Sequence, residues 1–333
     1  RTYYDIAQKE KFEKRFSNLW IGSRPTQLQG TFQILFLDFS RVGGLDRTLA
    51  ENFDDYCCGG LDDFASIYEP YYYPGFEEEM KAQYGTTNKL NFLDRKARNN
   101  GSKLYLIVDE YDNFTNVVLN EQGDKVYHAL THASGFYREI FKKFKGMFER
   151  IFMTGVSPVT LDDLTSGFNI GWNISTDHQF NMMLGFSETD VREMIQYYKD
   201  AGQLPGNTNI DAMIEEMRPW YDNYCFAEES LERDPKMFNC DMVFYYLRHY
   251  MTLGKSPKEM IDPNTRTDYN KMKKLIRLDK LDGNRKGVLR KITEDGQIVT
   301  TLTTTFPATD ITKPEIFPSL LFYYGMLTIT ATR

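Results

Sequence analysis

Cysteine is scarce: the 333 residues contain four, Cys57, Cys58, Cys225 and Cys240, and no two of them stand in CxxC spacing. That pattern implies neither a zinc framework nor a disulfide scaffold, and it suits a reducing cytoplasm. Long apolar runs are missing as well. Nothing approaches the ~20 residues of a membrane-spanning helix, and the opening residues do not form a secretory signal, so no membrane partner is expected. Basic charge is not in excess either: 40 Lys and Arg against 47 Asp and Glu leave a net charge of -7. The chain as a whole is therefore no electrostatic trap for nucleic acid. A phosphate-cradling GxxxxGK[ST] loop is also lacking. The one GKS string, Gly254 to Ser256, has His249 where the first glycine should stand, follows a helical rather than a strand pattern, and runs into Pro257. It reads as a chance match.

What is present is the composition of a folded protein, with 41% hydrophobic, 26% charged and 15% aromatic residues. The length suffices for a sizeable core and for two domains. The most informative stretch is KLYLIVDEYD, Lys103 to Asp112. Leu104 to Val108 form a continuous apolar, partly β-branched run, the pattern of a strand buried on both faces of a parallel sheet. Asp109 and Glu110 then fall where the strand leaves the sheet, the edge at which open α/β sheets place their ligands. That is the form of a Walker B motif, in which the Asp holds Mg²⁺ and an adjoining Glu orients or deprotonates the attacking water. A strand ending in a solvated acidic turn would read the same way.

Further buried strands are expected at Ile34 to Leu37, closed by Asp38 and Ser40, and at Ile151 to Met153, closed by Thr154 and Gly155. Helices are expected over Tyr4 to Phe16, Asp46 to Cys58, Lys89 to Asn99 and Asp124 to Phe148. The last holds His128 and His132 at i and i+4, but HALTH lacks the glutamate of a zinc-protease helix, so a packed or surface pair is the better reading. The aromatic segment Tyr68 to Phe76 reads as packed loop rather than a stacking platform. Two extended stretches either side of Asp177 and His178 should finish the sheet. Ser187 then caps a helix, with Asp190 at its third position, and opens a mostly helical region. Ile298 to Phe306 reads as a hairpin or edge strand. The fold class expected is α/β, with a parallel-sheet core over 1-186 and a helical domain over 187-333.

Taken together, LYLIVDEYDNF, FMTGVSPVTLDDLTSGFNI, LGFSETDV, WYDNYCF and SLLFYYGMLTI resemble, in order and along almost the whole chain, the bacterial AAA-ATPase-like family. The resemblance implies a P-loop NTPase-like core followed by a lid of winged-helix character. It makes ATP and Mg²⁺ the expected ligands, with Asp109 on the nucleotide and its metal ion, Glu110 as the catalytic carboxylate and Thr154 as a sensor that bonds the γ-phosphate or the attacking water. Members often continue into a nuclease-like domain, through which nucleic acid would enter indirectly. The resemblance also implies an arginine-rich Walker A loop just upstream of the helix with which the chain opens at Arg1, and the 333-residue chain is expected to be inactive without it. A nucleotide-sensing or interaction module without turnover is the alternative.

Overall fold

The computed structural model describes residues 1-43, 48-113, 136-156, 158, 171-222, 224-233, 236-263, 285-306, 310 and 313-332. The chain forms two compact units, one of residues 1-171 and 305-310, the other of 172-304 and 311-333.

In the first unit, strands β1 (Gln33–Asp38), β2 (Leu104–Asp109) and β3 (Arg150–Met153) form a sheet in that order. Both pairings are parallel, so β2 is central, as the apolar run at Leu104 to Val108 predicts. Leu104, Leu106 and Val108 are buried on one face, while Tyr105 and Ile107 are half-buried on the other. Parallel strands need crossover helices. Here the connections carry α2 (Leu49–Tyr68), α3 (Phe76–Lys81) and α4 (Gly85–Asn100) between β1 and β2, and α5 (Phe136–Met147) before β3; a short α1 (Phe12–Phe16) precedes the sheet.

Helix α2 runs ten residues past the Cys58 end that Gly59 and Gly60 suggest. Burial of Leu61, Phe64, Ala65 and Tyr68 outweighs the glycine cost of ~1 kcal/mol each. Thr48 and Glu51 form a capping box at its start. The outer edge of β1 is covered by this helix. Tyr68 Oη accepts the Ile34 amide at 2.9 Å and donates to Asp5 Oδ1 at 2.9 Å, and Tyr56 Oη accepts the Asp38 amide at 2.8 Å. The Ile34 and Asp38 amides are thereby withdrawn from pairing with a further strand. The aromatic segment is packed, as expected: Tyr72 stacks on Phe76 with ring centroids 4.0 Å apart.

In the second unit, α6 (Glu188–Asp200), α7 (Ile210–Tyr221) and α8 (Cys240–Leu253) bury Val191, Ile195, Ile214, Met217, Val243 and Tyr246 against one another. The Ser187 capping box is present, with the Asp190 amide 3.1 Å from Ser187 Oγ and the Ser187 amide 2.8 Å from Asp190 Oδ2. Helices α9 (Arg285–Asp295) and α10 (Phe317–Tyr323) follow. The WYDNYCF phrase is a packing junction: Tyr221 donates to the Met260 carbonyl, while the Phe226 and Ala227 amides both donate to Asn181 Oδ1.

Two expectations need correction among the described residues. Residues 171-186 add no strand to the sheet. Side chains take the amides instead, Asp177 Oδ1 from Gln179 and Asn173 Oδ1 from Ser175, and Phe186 makes only an isolated antiparallel bridge to Phe238. Residues 298-305 likewise form no ladder, the Thr303 amide being bound by Ser319 Oγ at 2.9 Å. Residues 124-135 of the expected Asp124 to Phe148 helix, with His128 and His132, lie outside the described residues.

Candidate functional site

The carboxyl ends of the three strands carry a row of oxygen-bearing side chains. Asp38 and Asp109 are partners in the parallel register, and β3 continues the row one step past its Val108–Met153 pair to Thr154. Register partners on neighbouring strands lie about 4.8 Å apart and point to the same face. The three residues thus stand in one row at the same edge of the sheet although they are far apart in sequence. Thr154 Oγ1 donates to Asp109 Oδ1 at 2.5 Å, and the Glu110 amide donates to the same oxygen at 3.0 Å. Among the described residues both bonds to this carboxylate fall on Oδ1, which leaves Oδ2 without a donor.

Glu110 is where the strand stops. Its φ is +48°, the one positive value at a non-glycine among the described residues. Holding a Cβ-bearing residue there costs on the order of 1 kcal/mol, and such strain clusters at functional sites. The turn has a visible cause: it lets the Tyr111 amide reach the Thr154 carbonyl at 3.0 Å, while the Thr154 amide reaches the Val108 carbonyl at 2.9 Å. The alternation of the strand is broken at Glu110, so its side chain is freed from the face that alternation would assign it.

Asp38 has a local task. Its carboxylate accepts from the Ser40 hydroxyl at 2.6 Å and the Ser40 amide at 3.1 Å, and from Arg41 Nε at 3.0 Å, closing the turn after β1. The Ser40 hydroxyl above all, with the Ser40 amide and Arg41, holds the carboxyl below its ordinary range. A carboxyl depressed in the folded state stabilises it fully above the unfolded value of about 4, and the contribution is lost as pH falls through the lower folded value. Asp38→Asn is therefore expected to lower the urea midpoint of the first unit at neutral pH by an amount that shrinks below roughly pH 4. A difference that stays constant from neutral to acid pH would show that the charge contributes nothing.

Hard oxygen donors of this kind suit Mg²⁺, which takes one or two carboxylates and completes its shell with water and substrate phosphate. Among the described residues no three metal-capable side chains converge, so no protein-only metal cage is offered. Of these side chains Asp109 could contribute one carboxylate oxygen, Oδ2, to such a shell. The GKS string contributes nothing here: Gly254 is the left-handed cap at the carboxyl end of α8, with φ +66°. Carbonyls, not amides, face outward at that end of a helix, the wrong polarity for phosphate.

The structure brings together the three residues singled out from sequence, Asp109, Glu110 and Thr154. It adds two that were passed over, Asp112 and Gly155. Asp112 is 1% exposed and its Oδ1 accepts the Val156 amide at 3.1 Å. A Cβ on Gly155 would stand 2.5 Å from that oxygen and 2.7 Å from the Tyr111 ring. Both residues were present in the strings quoted, as the last acid of DEYD and the glycine of MTGVSP, but nothing local marks them as partners.

A three-stranded parallel sheet with intervening helices and a carboxylate-hydroxyl pair at the end of its central strand makes an α/β core compatible with a P-loop-like fold. Residues 1–165, roughly half of the chain, match the model of the AAA-ATPase-like family, described as "Predicted AAA-ATPase". That span contains Asp38, Asp109, Glu110, Asp112, Thr154 and Gly155. No curated protein and no solved structure matches the chain.

Proposed function

We propose that the chain is a Mg²⁺-dependent ATPase module whose nucleotide state is read by a fused or partner effector. The observation that carries this reading is the 2.5 Å bond from Thr154 to Asp109 at the end of a central parallel strand, inside the span that matches the family. Asp109 would hold the metal ion through Oδ2, with Thr154 fixing the carboxylate by its other oxygen. Glu110 would orient the attacking water and take its proton. Thr154 carries one hydroxyl proton, so it would bond a phosphate oxygen only by turning that proton away from Asp109. Bound Mg²⁺ supplies neutralisation of the phosphate charge, and the protein's share is mostly positioning and electrostatics. An effector of nuclease type and the lid character of the helical unit belong to this proposal, through the resemblance.

Phosphate affinity in such sites comes chiefly from Walker A amides at a helix amino terminus. The test is isothermal titration of ATP, with and without Mg²⁺, into a longer protein carrying a Walker A segment of the kind the resemblance implies, beside the 333-residue chain. The longer protein should bind with an affinity that Mg²⁺ strengthens, and Asp109→Asn should remove the Mg²⁺ effect. The 333-residue chain should bind weakly or not at all. An affinity in the longer protein that ignores both Mg²⁺ and Asp109→Asn would overturn the metal assignment, and no binding there would favour an interaction module.

A further inference from the structure

Beyond the carboxylates and the hydroxyl, one acid in this region has no place in the proposed chemistry. Asp112 lies three residues past Asp109 and is withdrawn from solvent, yet it is spent on the backbone of the neighbouring strand's exit. The corner Thr154 to Val156 is held against the end of β2 by a ladder of bonds. The Thr154 amide donates to the Val108 carbonyl at 2.9 Å and the Tyr111 amide to the Thr154 carbonyl at 3.0 Å. The Val156 amide then donates to Asp112 Oδ1 at 3.1 Å. The first two continue the sheet; the third does not. Past Thr154 the chain has left β3, and the Val156 amide is held to the β2 exit by a side-chain carboxylate rather than by backbone. A buried carboxylate accepting an amide is among the stronger hydrogen bonds available. The β2 side of the clamp is itself fixed, since Tyr137 Oη donates to the Tyr111 carbonyl at 3.0 Å and the Asn113 amide to the Glu110 carbonyl at 3.0 Å.

Gly155 is fitted to the same corner. The space its Cβ would occupy is taken by Asp112 Oδ1 and the edge of the Tyr111 ring, so only glycine lets the corner pass this close. Its φ is not in the left-handed region, so proximity rather than backbone conformation demands it. An acid and a glycine from two strand exits thus fit one another. Both flank residues that carry oxygen onto the candidate site.

We infer that Asp112 is a positioning residue: its carboxylate, seated against Gly155, clamps the corner after β3 so that the Thr154 hydroxyl stays on Asp109. The inference rests on the proposed ATPase reading only for what Asp109 and Thr154 then do. The clamp itself is a statement about geometry and can be tested without nucleotide.

The experiment is native-state amide hydrogen exchange on the full chain, read at Val156, whose amide is bound by Asp112, and at Glu110, whose amide is bound by Asp109. Asp112→Ala should speed exchange at both amides by roughly tenfold to a hundredfold relative to core amides such as Leu106, as loss of a charge-assisted bond implies. Gly155→Ala should do the same by displacing the intact carboxylate. Asp112→Asn keeps an oxygen able to accept the Val156 amide and should restore both to within about threefold of the parent. Acceleration at Val156 alone, with Glu110 unchanged, would overturn the positioning role, and so would an Asp112→Asn protein no better than Asp112→Ala. Should Asp112→Ala fail to fold, the comparison of Gly155→Ala with Asp112→Asn decides: fast exchange in the first and slow in the second supports the clamp, and equal rates overturn it. ATP and Mg²⁺ titration of the parent protein is run separately. A parent that binds neither defeats the ATPase reading, while the exchange pattern still decides the clamp.

Discussion

Glu110→Gln is expected to slow ATP hydrolysis by a factor on the order of 10² to 10⁴ while leaving nucleotide bound, in protein that carries the phosphate-binding segment. Glutamine matches glutamate in size and keeps a carbonyl oxygen that can hold a water, but it cannot take the water's proton. The substitution is also neutral for the backbone. Glu110 sits at φ +48°, and glutamine has the same Cβ and the same cost there, so the strand exit and its bonds to Thr154 should persist. Single-turnover hydrolysis and the dissociation constant for ATP, measured on the same preparation, separate the two effects. Turnover within threefold of the parent would remove Glu110 from the chemistry, and a matching loss of binding would mean that it serves the bound nucleotide rather than the water.

The second large effect is expected from Phe39→Ala, a loss of about 3 to 5 kcal/mol in the stability of the first unit. Phe39 follows Asp38 directly and is 0% exposed. Its ring makes edge contacts with Phe53 and Tyr56 of α2, at centroid distances of 4.9 and 6.5 Å, and with Tyr137 and Phe141 of α5, at 6.2 and 6.3 Å. Such pairs add roughly 0.5 to 1.5 kcal/mol beyond the area they bury. Removing the ring deletes these contacts and opens a cavity between two helices that cannot both move in, since each is held on other residues. The loss is a large share of the 5 to 15 kcal/mol typical of a domain. Urea denaturation followed by a signal confined to the first unit measures it, with Phe39→Leu retaining much of the packing. A cost below about 1 kcal/mol would show that the helices close around the gap, and the ring would not be the hub described here.

The two residues differ in how visible they were. Asp109 and Glu110 announce themselves because a strand of apolar residues must end somewhere and an acid pair stands directly at that end, whereas Asp112, the last acid of DEYD, is buried and gives no such signal. Thr154 could be chosen because it follows another short apolar run. Phe39 carries no such signal: it is one of 24 phenylalanines, and its place between α2 and α5 depends on where both helices land. Asp38 was seen only as the close of a strand. That it stands beside Asp109 follows from the register, which no single strand encodes.

The sequence by itself determined the elements whose causes are local. Strands at Ile34 to Leu37, Leu104 to Val108 and Ile151 to Met153 follow from continuous apolar runs, and the helix after Ser187 follows from a cap and an acid three residues apart; burial did not follow at the third strand, which alternates exposed and half-buried with Phe152 38% exposed. Where side chains compete with the ladder for the backbone, as Asn173 and Asp177 do, an extended pattern misled, because a polar side chain nearby can satisfy an amide as well as a strand can. Only the tertiary structure decided that Thr154 lies on Asp109, 45 residues away in sequence, and that Asp112 takes the Val156 amide across 44 residues. It also decided that Gly155 has no room for a side chain. Those facts arise from two strand exits meeting in space, and hydrophobic period, propensity and caps report only on neighbours within a few residues.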